Sequence, residues 1–241
     1  MLHEAVKSVP IGPVQTTEKW YAGRRLGVAT LGFCVWGAGT EKRTWYNYFS
    51  RVLEKGSVYS IAAIKDLLTR LKLDESTTIV TWADCGRHFR CNRTVATIGY
   101  DIVTELRQPP TDPDVPGVPL DCKMRFGMPK HFKNPLDRYF GTQNTRISLF
   151  AQGEEIASVG EYKQAAEQTF LAALAADGEI DPEVFIDFVP PPRKQVLKAT
   201  KEFTRASLCQ PMDSSFAWTF HNLDKRCVYI YIYIHTKNDI I

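Results

Sequence analysis

An α/β fold, a mixed sheet flanked by helices, is predicted by three observations. Two aromatic and β-branched runs, 26–36 and 43–52, are joined by a glycine-bearing loop; an amphipathic helical segment follows them; and the apolar segments 77–83 and 120–126 have the character of strands. Composition agrees with a globular domain. The chain has 241 residues, 44% hydrophobic and 24% charged, with 13 Phe, 10 Tyr and 5 Trp to fill an interior, which excludes wholesale disorder, collagen and coiled coil.

Residues 1–19, with Pro10 and Pro13, read as an extended lead-in. LGVATLGFCVW (26–36) and RTWYNYFSRV (43–52) then read as a hairpin. Ser60 is placed to cap a helix whose apolar positions Ile61, Ile64, Leu67, Leu68 and Leu71 recur at helical spacing, with Lys65, Asp66 and Arg70 opposite. TTIVTWA (77–83) is a short, continuously apolar and β-branched run, the pattern of a strand buried inside a sheet, and it ends at Asp84. Val95, Ile98, Ile102 and Leu106 give 93–106 a helical period, and PPTDPDVPGVP (109–119) is a loop. In 120–126 Leu120, Cys122, Met124 and Phe126 alternate with Asp121, Lys123 and Arg125, a half-buried strand. Asn134 and Pro135 stand as N-cap and first residue of a helix that carries Asp137 in its first turn.

Behind this core, 151–190 carries nine acids against one Lys and reads as an acidic helical appendage with an Ala-rich helix near 162–176. Segment 191–227 is a proline break followed by bases, five against one acid over 193–205. Segment 228–241 begins VYIYIYIHT, a period-two run that a TATATA…CACACA nucleotide repeat would encode, and reads as a low-complexity, aggregation-prone tail. Net charge is only +3, so a nucleic-acid role must rest on local charge. Six cysteines without a C-x-x-C pair, and no apolar leader in MLHEAVKSVP, predict a reduced intracellular protein, and the apolar run 228–234 is far below the roughly 20 residues of a membrane span.

The order strand, strand, helix, strand ending in Asp84, helix, loop, strand, helix bearing Asp137 is that of an RNase H-like fold after its first strand. Phosphodiester hydrolysis and strand transfer on such a fold use two Mg²⁺ ions about 3.5 to 4 Å apart, held by carboxylates. The alternatives are plain: Asp84-Cys85-Gly86 also suits an ordinary turn, and an acid is favourable in the first turn of any helix.

TWADCGRHFRCN (81–92) and FGMPKHFKNPLDRYFG (126–141) resemble segments of the DDE or DDD transposases of eukaryotic cut-and-paste DNA transposons, near the Kyakuja, Dileera and Zisupton group or a relative. The second matches a His-x-Lys-(Gly or Asn)-Pro-x-Asp-x-x-(Phe or Gly)-Gly block through His131, Lys133, Asn134, Pro135, Asp137, Phe140 and Gly141, with Asn134 in place of the commoner glycine. The similarity covers about residues 9–150, including IGPVQTTEKWYAGRRLGVATLGFCVWG. It implies an RNase H-like core over 20–150, Asp84 and Asp137 as catalytic metal ligands for Mg²⁺, double-stranded DNA at transposon ends as substrate and a nuclear location. It also allows a homo-oligomer and calls for no membrane or small-molecule substrate.

One departure is decisive for activity. The family's first acid ends strand one, ahead of the segment matching VPIGPVQ, whereas here the nearby acids are Glu4 and Glu18 and neither ends a recognisable strand. The expectation is therefore a core with its first strand missing, an incomplete two-ion site and no activity of its own; the alternative is a non-enzymatic DNA-binding or assembly module.

Bases surround both acids: Arg87, His88 and Arg90 after Asp84, and Lys130, His131, Lys133 and Arg138 about Asp137. Between 121 and 146 six bases face two acids. These are the candidate DNA contacts, of a kind that neutralises phosphate without reading sequence; a merely solvated basic face is the competing interpretation. Cys85, His88 and Cys91, with Cys34 or Cys122, could ligate zinc, but the spacing is no standard finger and the strand-end acid accounts for the same turn better.

Overall fold

A computed structural model of the chain describes residues 5–9, 12, 26–37, 41–53, 57–71, 77–83, 94, 97, 121–126, 135–192, 217–220 and 226–233. Its strands are β1 (Ala5–Val9), β2 (Leu26–Gly37), β3 (Arg43–Ser50), β4 (Thr77–Ala83), β5 (Asp121–Phe126), β6 (Glu183–Asp187), β7 (Ala217–Phe220) and β8 (Arg226–Tyr233). Three helices accompany them: α1 (Ser57–Leu71), α2 (Pro135–Phe150) and α3 (Val159–Asp177). The fold is mixed α/β, with the strands in one sheet of order β6-β3-β2-β8-β4-β5-β7, and β1 also paired to β2.

β2 and β3 form the antiparallel hairpin read from the sequence, with Cys34 opposite Trp45 and Leu31 opposite Tyr48. β4, continuously apolar, runs parallel to a neighbour on each side, β5 and β8. The buried character of Ile79, Val80 and Ala83 follows from that central position. In the described part of β5, Met124 is buried while Arg125 is exposed and lies over the Trp82 ring at 5.0 Å.

Alternation along β2 and β3 sorts the core into two layers. Tyr48 turns towards α1, where its hydroxyl donates to Asp66 Oδ2 at 2.8 Å. Its ring meets Phe33 and Phe188 edge-on, and Phe188 in turn meets Tyr59 of α1. The opposite face packs against α2 and α3. There Val28 and Phe49 meet Ile147 of α2 and Val159, Tyr162 and Ala166 of α3 in one buried cluster, and Cys34, Trp45 and Phe140 form a second.

Gly32 is what lets α2 sit so close. A Cβ at this position would overlap the Phe140 ring, a buried side chain packed with Cys34 and Trp45. Gly32→Ala is accordingly expected to lower stability by about 1 to 3 kcal/mol. Thermal unfolding of Gly32→Ala beside Gly32→Ala/Phe140→Leu checks the cause, because the smaller side chain should recover most of the loss.

Several segments differ from the sequence reading. Helix α1 starts at Ser57, so Ser60 lies inside its first turn, fully buried, and is not the cap. The acidic stretch 151–190 is no appendage, because α3 supplies a large share of the buried cluster and β6 extends the sheet parallel to β3. α3 is firmly delimited. Ser158 Oγ accepts from Glu161 N and Glu161 Oε2 accepts from Ser158 N, a reciprocal capping box, and Gly178 closes the helix at φ 70° with its N–H on Leu174 O.

The largest difference concerns 228–241, read as a tail. Val228–Tyr233 belongs to β8, which lies in the middle of the sheet, antiparallel to β2 and parallel to β4. Its two-residue period is simply that of a strand with both edges paired. The lead-in also joins the sheet: β1 pairs with Leu26–Thr30 of β2, and β8 pairs with Gly32–Gly37. Both run antiparallel to β2, so segments from the two ends of the chain follow one another along a single edge. Of the helix expected over 93–106, only Thr94 and Thr97 are described, and both are buried. The basic segment 193–205 lies outside the described residues.

Candidate functional site

The sheet directions bring three strand ends to one edge, since β8, β4 and β5 are parallel and Ala83 pairs with Ile232 on one side and Phe126 on the other. Asp84 is the next residue after Ala83 in the chain, and α2, which contains Asp137 as its third residue, starts nine positions after Phe126. Asp84, Arg87, His88, Arg90, Lys130, His131 and Lys133 lie outside the described residues, as does the Asp137 side chain. Cys85, His88 and Cys91 lie outside them too. Cys34, the zinc candidate on β2, is a buried free thiol that burial pushes up to about 12, packed between Trp45 and Phe140 as a small apolar group. Among the described residues no group of three or more His, Cys, Asp or Glu side chains is placed to hold a metal ion.

Arg138, of all the sequence-predicted contacts, has a described side chain. It is exposed and points into a cleft of about 400 Å³ between β3 and α2, lined by Arg43, Trp45, Arg138, Tyr139, Thr142 and Arg146. Helical spacing explains the α2 wall, because 138, 142 and 146 recur every fourth residue along one face. Strand alternation explains the other, because Arg43 and Trp45 share the side of β3 that α2 covers.

The floor of the cleft is a polar network closed by chain-distant partners. Tyr139 stacks flat on Trp45, with centroids 4.2 Å apart and planes at 3°. Its hydroxyl accepts from Asn47 Nδ2 at 2.6 Å and donates to Glu183 Oε2 at 2.5 Å. Glu183 Oε1 in turn receives Arg146 Nη1 at 3.2 Å. The Glu183 side chain is 5% exposed; burial pushes its carboxyl up, against the opposing pull of Tyr139 and Arg146. Burial first, then the neighbouring Glu183 charge, holds the Tyr139 hydroxyl protonated. Asp181 fixes the β3 end: Trp45 Nε1 and the Arg43 backbone N–H both donate to its carboxylate at 3.4 Å.

Sequence reading missed this cluster. Arg43, Arg146 and Glu183 belong to three separate segments, and the one available signal was the alternation of EVFIDF, which marks β6 inside an otherwise acidic stretch. No family model, curated protein or solved structure matches the chain. Among the described residues no helix is long and apolar enough to cross a membrane.

Proposed function

We propose that the chain is a partial DNA transposase core that engages duplex DNA without completing strand transfer by itself. The sheet order carries this reading. Its central strands run β3-β2-β8-β4-β5, with antiparallel pairs from β3 to β8 and parallel pairs from β8 to β5. An RNase H-like sheet has a like order and sense, with its first strand at the place β8 takes here, and this supports the reading. The residue blocks about Asp84 and Asp137, at a strand end and in the first turn of a following helix, agree with the same ancestry.

Mg²⁺ is the metal that ancestry implies, and the donor set falls short of it. β8 (RCVYIYIY) and β1 (AVKSV), the two segments along the relevant edge of β2, contain no Asp or Glu. Asp84 and Asp137 remain as a pair, which suits one weakly held ion and not the two that strand transfer uses. The absence of an acid from these two described strands favours the non-enzymatic module, binding DNA or assembling on it, as the present role.

Lys130 and Lys133 test DNA engagement free of the cleft occupied by Arg138. Replacing both with Ala should weaken binding to duplexes of unrelated sequence alike. It should also reduce the slope of log K against log salt by about 0.9 per lost phosphate contact. An unchanged slope in a filter-binding titration would assign both lysines to a solvated face.

A further inference from the structure

We infer that the cleft between β3 and α2 is a binding site for phosphate esters, built around Arg43 and Arg138, the second of which is also among the DNA contacts expected from the sequence. The inference comes from which polar groups on its walls already have partners. Trp45 Nε1 donates to Asp181, the Tyr139 hydroxyl donates to Glu183, and the Thr142 hydroxyl donates to the Arg138 carbonyl at 3.1 Å. Arg146 is committed to Glu183. What remains facing the space is the guanidinium donors of Arg43 and Arg138, which are exposed and have no carboxylate partner among the described residues.

A cleft whose unspent charged groups are both cationic donors favours a ligand made of acceptors with negative charge. Phosphate oxygens meet that requirement, and the planar guanidinium fork matches them two bonds at a time. Arg146 is held in place by a nearly buried carboxylate, so its remaining N–H groups are oriented before any ligand arrives. Pairing with Glu183 offsets its charge and Asp181 at the Arg43 end offsets part of the rest, so Arg43 and Arg138 leave the cleft with a net positive charge that favours phosphate oxygens. The cleft volume of about 400 Å³ exceeds what a bare phosphate fills and has room for the organic part of a mononucleotide. Trp45 and Tyr139, stacked on each other, supply an apolar wall for it.

The ester is either a free nucleotide or a phosphate of a single-stranded oligonucleotide. Calorimetric titration of the full chain with thymidine 5′-monophosphate, thymidine and an unphosphorylated oligothymidylate separates these. The monophosphate should bind and thymidine should not. Competition by the oligomer assigns the site to backbone phosphates, and absence of competition assigns it to free nucleotides. Arg43→Gln and Arg138→Gln should each weaken the monophosphate about tenfold, and together abolish its binding, with unchanged circular dichroism because both side chains are exposed. Undiminished affinity in the double variant, equal binding of thymidine, or no binding of the monophosphate by the parent chain would overturn the assignment. None of these results bears on Lys130 and Lys133, so the two readings fail separately.

Discussion

Removal of residues 226–241 is expected to abolish the cooperative unfolding transition of the protein. Val35 pairs with Ile230 on one edge of β8, and Thr81 pairs with the same residue on the other, so among the described strands β8 is the one that joins the hairpin half of the sheet to β4, β5 and β7. Without it two long edges, Gly32–Gly37 and Thr77–Ala83, lose their ladders at once, and unpaired edges of that apolar character recruit other chains. A domain has only about 5 to 15 kcal/mol of net stability to lose. Scanning calorimetry and size-exclusion chromatography of the truncated chain check this, the expected outcome being aggregation without a transition. Ile230→Pro is the milder version: it deletes one ladder donor in a central strand and should cost about 3 kcal/mol or more. A truncated chain that melts as the parent does would return 228–241 to the status of a tail.

Local patterns that are self-sufficient were legible in the sequence. The hairpin, the amphipathic α1, the buried β4, the strand β5 and the Pro135 start of α2 each declare themselves within about ten residues, and the structure contains all five. What escaped was decided by partners far away in the chain. The YIYIYI run has the right period for a strand, yet nothing within it says that β2 and β4 leave a gap of one strand between them. Composition misled in the same way over 151–190: nine acids suggest a solvated appendage, while Val159, Tyr162, Ala165 and Ala166 of that stretch are buried on Phe49 and Val28. Ser60 resembles a cap in the sequence because a serine ahead of an apolar run looks the same whether the helix begins at it or three residues earlier. The cleft could not be read at all, since Arg43 and Arg138 become neighbours only once α2 crosses the hairpin.

On the proposed transposase reading, β8 takes the place from which a third acid would be supplied, and this yields the most consequential expectation about activity. The chain as given should neither cleave nor join DNA ends in the presence of Mg²⁺ or Mn²⁺, because stabilising an in-line phosphoryl transition state depends on both ions and their ligands. An upstream strand added to the chain would have to displace β8 from its pairing with β4. A substitution within β8 avoids that competition. Ile232 is the partner of Ala83, and Tyr233 and Asp84 are the residues that follow each of them. Tyr233 is also the partner of Gly32, on the strand that packs against α2, the helix bearing Asp137. Tyr233→Asp is therefore the shortest route to a third carboxylate. It should tighten Mn²⁺ binding on the order of tenfold, read by calorimetry, since affinity for a hard divalent ion rises with the number of charged oxygens offered to it. Adding Asp84→Asn or Asp137→Asn should cancel that gain, and any plasmid cleavage acquired with it should vanish in the same variants. Metal-dependent cleavage by the parent chain that survives both Asn substitutions would place the active site elsewhere. Tighter Mn²⁺ binding that is indifferent to Asp84 would show that position 233 is not beside it.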